Sequence, residues 1–101
     1  MFKNMDQILK QAQVMQEKLK QQLGDMSVEG SSGGGMVTVQ MNGNKVITSF
    51  TIDPEVVNKD DVEMLQDLIT AAVNETARKV DEETQRQLGN MAGGLKIPGL
   101  F

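Results

Sequence analysis

The stretch from Gly33 to Asp53, GGGMVTVQMNGNKVITSFTID, constrains this chain more than any other. Val37, Val39 and Met41 alternate with Thr38, Gln40 and Asn42, the period of a strand with one buried face. Further on, Val46, Thr48, Phe50 and Ile52 alternate with Ile47, Ser49 and Thr51. Asn42-Gly43-Asn44 between them predicts a β-hairpin, because both central residues of a type I′ turn need φ > 0. Side-chain parity then narrows the register. Pairing Val39 or Met41 with Val46 puts both apolar sets on one face. A plain three-residue loop would pair Met41 with Lys45 and split the faces unless a bulge intervened.

Helices flank the hairpin. The first is predicted from about Asn4, an N-cap with Gln7 in the capping-box position, to Leu23, with Gly24 as the left-handed residue that ends it. Along it Met5, Ile8, Ala12, Met15, Leu19 and Met26 recur at spacings of three and four, interrupted by Gln22 and widened by Leu9 and Leu23. A period near 3.5 describes a seam for another helix, either the chain's own second helix or one from another molecule. Met26 and Val28, alternating with Ser27 and Glu29, predict a third short strand within residues 25–32. The serine- and glycine-rich run that follows, residues 31–35, is a turn. It is not a phosphate cradle, because no Gly-Lys-Ser/Thr follows and a strand stands where a helix N-terminus would be needed.

Asp53-Pro54-Glu55 predicts a capped single helical turn. Asp60, with Glu63 three residues on, is expected to cap a long second helix reaching about Leu88. Its inward stripe is Val62, Leu65, Leu68, Ile69, Ala72, Val73, Thr76, Ala77 and Val80, and residues 81–87 are polar on every side. Such a helix is longer than a compact body of this size, so its polar end should overhang. The expected organisation is one α+β domain over residues 1–88, with three antiparallel strands, and a glycine-interrupted tail over 89–101.

Catalysis finds no support in this composition. Histidine, cysteine, tryptophan and tyrosine are all absent, which removes the usual general base, the thiolate nucleophile and the commonest metal ligands. We therefore expect no enzyme activity, no cofactor, no metal and no small-molecule substrate. No apolar run suggests a signal peptide or a membrane span, and the lack of cysteine suits a reducing cytoplasm.

The net charge of −4 hides an uneven distribution. Residues 1–50 carry five lysines against four acids, whereas residues 53–83 carry ten acids against Lys59, Arg78 and Lys79. Asp6–Lys10, Glu75–Lys79 and Glu82–Arg86 are spaced as i,i+4 pairs with the acid first, the better orientation on a helix. Lys18 and Lys20 are read as the unpaired cations of the first helix, one on either side of the seam, while Lys3 and Lys10 lie one heptad apart and point away from it. A phosphate-contacting arm fits this spacing, although the helix C-terminus alone favours cations there.

Taken in order, Lys10-Gln11-Ala12-Gln13, Met15-Gln16-Glu17-Lys18, Val28-Glu29-Gly30-Ser31-Ser32 with its three glycines, Ile52-Asp53-Pro54, residues 60–77 ending Asn74-Glu75-Thr76-Ala77, and Gly94-Leu95-Lys96-Ile97-Pro98-Gly99 resemble the YbaB/EbfC family of bacterial nucleoid-associated proteins. The resemblance spans essentially the whole chain. It implies a tweezer-like homodimer with helical arms that binds double-stranded DNA with little sequence specificity, in the nucleoid of the cytoplasm. By position, it implies DNA contacts from Lys3, Lys10, Lys18, Lys20, Arg78, Lys79 and Arg86. The competing expectation is a homodimeric protein-interaction adaptor that does not bind DNA.

Overall fold

A computed structural model describes the backbone of residues 2–95 and the side chains of residues 4–90. Helix α1 (Phe2–Asp25) leads into strands β1 (Val28–Ser32), β2 (Val37–Met41) and β3 (Ile47–Ile52). A 3-10 turn (Pro54–Val56) then precedes helix α2 (Val62–Leu95). The sheet is an antiparallel meander in the order β1-β2-β3. Its central strand supplies the core, with Val37, Val39 and Met41 buried as their alternation requires. Gly33, Gly34 and Gly35 all have positive φ, so the β1–β2 connection depends on residues without a Cβ.

The second hairpin forms with a different turn and register from those expected. The backbone amide of Lys45 donates to the Asn42 carbonyl, and Lys45 rather than Asn42 or Gly43 takes the left-handed conformation (φ 61°). Asn42 Oδ1 accepts from the amides of Asn44 and Val46, so the asparagine works through its side chain. Val39 pairs with Phe50, and Met41 pairs with Ile47 across a register shift. Thr48 is the extra residue, so Ile47 takes the position opposite Met41, and Val46 stays in the loop. None of the three expected pairings, Val39–Val46, Met41–Val46 or Met41–Lys45, forms; the bulge at Thr48 keeps Ile47 and Phe50 opposite Met41 and Val39.

Helix α2 crosses β1 and β2. Ala72, Thr76 and Val80 are buried there, and Leu68, Ile69, Val73 and Ala77 flank them. Val62, expected in the stripe, is half exposed (50%) because the helix begins beyond the sheet edge. Asp61, not Asp60, caps the helix: its carboxylate accepts from the Met64 amide at 3.2 Å. The single turn is capped as predicted, with Asp53 accepting from Glu55 at 3.0 Å. Gly30 lets β1 approach α2 closely, since a Cβ there would stand 2.8 Å from the Thr76 backbone nitrogen. The helix continues through Gly89 to Leu95, further than the expected end near Leu88. The polar stretch 81–87, expected to overhang the body, lies beside it: Asp81 is bonded to Lys45 of the hairpin, Glu83, Thr84 and Gln87 are half-buried, and Glu82, Glu83, Arg86 and Gln87 line a hollow with Met26 to Glu29.

Helix α1 leaves the body. It starts at Phe2, ahead of the expected Asn4 cap, and runs through Gly24, whose φ is not left-handed. It is joined at its base, where Met26 is buried and the Gly43 amide donates to the Leu23 carbonyl at 2.7 Å. Gly43 is needed for proximity rather than for φ: a Cβ there would lie 2.8 Å from Leu23 O and 2.9 Å from Leu23 Cα. The molecule is accordingly 70 Å long, with a radius of gyration of 19.6 Å, against roughly 13 Å for a compact chain of 100 residues. Gly43→Ala should loosen this joint and cost about 1–3 kcal/mol by overpacking. Limited proteolysis should then cut faster within residues 23–28. Unchanged cleavage and melting temperature would show that the joint accommodates a methyl group.

Candidate nucleic-acid interface

The seven cations singled out by sequence fall into two structural groups. On α1, Lys10, Lys18 and Lys20 are exposed, and among the described residues no ion pair holds any of them. The expected Asp6–Lys10 pair does not form. Glu17 stands three residues before Lys20, yet no ion pair joins those two either. Lys3 lies on the same helix, outside the residues whose side chains are described. Four lysines against Asp6, Glu17 and Asp25 leave the helix at +1.

On α2 the cations are engaged. Arg78 meets Glu75 with two prongs, Nη2 to Oε1 at 2.7 Å and Nε to Oε2 at 3.2 Å, and also pairs with Glu82 one turn further on. These hydrogen bonds hold the Glu75 carboxyl below the usual carboxylate range, and Glu75 foremost raises Arg78 in return. Arg86 pairs with Glu83 at 2.8 Å. Lys79 is half-buried and donates to the Glu29 carbonyl at 3.2 Å, which ties α2 to β1. Neither Glu75–Lys79 nor Glu82–Arg86 forms as expected. A planar guanidinium at position 78 bridges two turns and takes both glutamates. The chain itself thus neutralises Arg78 and Arg86, while the arm lysines remain available.

Some features of this surface were not anticipated from the sequence. Lys45 bonds Asp81 at 2.9 Å, pinning the hairpin tip to α2. More consequential is the inner face of β3. Because α2 lies over β1 and β2, Phe50 (39% exposed) and Ile47 (45%) are left only partly covered among the described residues. The seam of α1 is equally bare: Met5, Ile8 and Met15 are each more than half exposed. Its packing on the chain's own second helix, one of the two alternatives, is therefore not what the fold adopts.

Comparison with known proteins agrees with this architecture. A nucleoid-associated protein of Alkaliphilus metalliredigens is 50% identical over 101 residues, covering 97% of this chain and 89% of the relative. One from Acetivibrio thermocellus is 53% identical over 102 residues, covering 97% and 90%. The crystal structure of an uncharacterized protein from Helicobacter pylori superposes with a TM-score of 0.75 at 26% identity, covering 91% of this chain and 97% of that one. The family model of the YbaB/EbfC DNA-binding family matches residues 1–95. With its projecting lysine-bearing helix, three-stranded meander and long second helix, the chain belongs to the YbaB/EbfC DNA-binding family.

Proposed function

We propose that this chain is a nucleoid-associated protein that binds double-stranded DNA as a homodimer, with little sequence specificity, through its α1 arms. The observation carrying this reading is the division of the cations: α1 offers lysines without ion partners on a helix clear of the body, whereas Arg78 and Arg86 are paired. Phosphate neutralisation dominates non-specific binding, so Lys3, Lys10, Lys18 and Lys20 supply most of it. Arg78, Lys79 and Arg86 are secondary contacts that must first leave their partners. Exposed pairs are weak in water, so the cost is small, but Glu82 and Glu83 would then repel the phosphate. The two relatives named above carry the description nucleoid-associated protein, which supports placement in the nucleoid of the cytoplasm. Among the described residues no helix is long and apolar enough to cross a membrane. The role is one of binding rather than catalysis.

The bare apolar surfaces support the dimer. Ile47 and Phe50 on β3 and the seam of α1 need cover, and a second copy supplies the same groups in complementary, two-fold related positions. It also doubles the arm lysines along one duplex, so a protein of net charge −4 can present a locally basic surface. Sedimentation at micromolar concentration should give twice the chain mass of 11.1 kDa, and Phe50→Glu should shift it towards the monomer. A mobility-shift series across salt should show binding to unrelated duplexes that fades as salt rises. Absence of binding even at low salt would favour the adaptor reading.

Residues 1–88 are proposed as the functional domain and 89–101 as a tail dispensable for folding and dimerisation. Truncation after Leu88 should leave the sedimentation mass doubled and lower the helical circular dichroism only by the residues removed. A monomeric or insoluble product would make the final turns of α2 a packed element.

A further inference from the structure

The polar side of α1 carries one residue that neither the core nor the seam explains. Val14 is 54% exposed and lies roughly 130° around the helix from the line of Ile8, Ala12, Met15 and Leu19. Its neighbours on that face are Gln7, Gln11 and Lys18, so positions 7, 11, 14 and 18 follow the i, i+4, i+7, i+11 spacing of a single stripe. Lys10 and Gln21 border it, and Val14 lies between two shallow hollows of the helix surface, both reaching Lys10 and one reaching Lys18. A β-branched residue gains nothing from an exposed helical position, where its propensity is below that of glutamine or lysine.

We propose that this stripe enters the major groove of DNA, with Gln7 and Gln11 reading adenine edges and Val14 packing on a thymine methyl group. The inference rests on α1 being the DNA-binding arm, and it adds a modest A·T preference to otherwise non-specific attachment. The fit is geometric and chemical. A helix of about 10–12 Å diameter matches a groove about 12 Å wide. The amide of glutamine pairs with adenine N6 and N7, and an aliphatic side chain suits the thymine methyl. From residue 7 to 18 the stripe is about 16 Å long, and Lys18 at its end reaches a groove-wall phosphate.

Paired duplexes that differ by single atoms or groups in the major groove test this directly. Fluorescence anisotropy at fixed salt would compare A·T-rich duplexes carrying thymine or uracil, and adenine or 7-deazaadenine. For the native protein, loss of the methyl should weaken binding about fourfold, the worth of one buried carbon. Loss of N7 should weaken it by about fivefold. Val14→Ser should abolish the thymine effect alone, and the Gln7→Ala/Gln11→Ala double variant the N7 effect alone, with helical circular dichroism nearly unchanged. Native protein that binds all four duplexes equally, yet loses binding in the Lys10/Lys18/Lys20→Gln variant, would overturn the base-edge role and leave the arm reading intact. Native protein that binds no duplex would overturn both.

Discussion

Replacing Lys10, Lys18 and Lys20 together by glutamine should lower affinity for an arbitrary duplex by roughly ten- to a hundredfold at moderate salt. In a dimer the change removes six cations that have no ion partner within the described residues. Each phosphate contact contributes roughly 0.9 to the slope of log affinity against log salt, so the slope should flatten as well as the affinity fall. Because phosphate contacts position the protein without reading sequence, unrelated duplexes should lose affinity about equally. Glutamine and lysine have similar helix propensity, and all three side chains are exposed, so melting temperature should hardly move. Arg78→Gln is the contrast: its guanidinium is already taken by Glu75 and Glu82, and DNA affinity should change by less than about threefold, a small effect beside the phosphate contacts of the arm. Equal losses in the two variants would return α2 to the binding surface.

The largest effect on stability should come from Gly30→Ala. A methyl group there would stand 2.3 Å from Thr76 Oγ1, 2.8 Å from Thr76 N and 2.9 Å from Thr76 Cα. The hydroxyl could rotate, but its bonds to the Ala72 carbonyl at 2.7 Å and the Val39 carbonyl at 3.4 Å would suffer. The backbone atoms can retreat only if α2 lifts from β1. Overpacking of this kind costs about 3 kcal/mol, which for a domain of this size means a fall of roughly 12–24 °C in melting temperature. Measurements need one protein concentration throughout, because the proposed dimer would make the melting temperature depend on concentration. Adding Thr76→Ala should recover part of the loss by removing the side-chain clash while leaving the backbone one. A melting temperature within about 3 °C of native for Gly30→Ala, under about 1 kcal/mol, would show that the sheet and helix can separate cheaply.

Much of the secondary structure was legible because it rests on local periodicity. The alternation in β2 specified which side chains face the core, and Val37, Val39 and Met41 are buried accordingly. Asp53-Pro54 marked its single turn through a side-chain cap that acts over two residues. Asn42-Gly43 marked a hairpin, but the turn it makes was not legible. Gly43 serves the contact with Leu23, a residue 20 positions earlier, and the positive φ falls on Lys45. Ion pairs behaved similarly: i,i+4 spacing permits Glu75–Lys79, but Arg78 reaches Glu75 and Glu82 with better geometry.

For the candidate site, the sequence alone determined the seam of α1, the position of its lysines around the helix, and the concentration of acids between residues 53 and 83. Those are properties of one helical period and of charge order along the chain, and they hold wherever the helix points. Tertiary structure decided that the seam faces away from the chain's own α2, since the joint at Gly43 and Leu23 sets the direction in which α1 leaves the body. It also decided which cations are spent on the protein itself and which apolar strand face is left bare. Both depend on how one helix lies across three strands: α2 covers β1 and β2, brings Lys79 to Glu29, and stops short of Phe50.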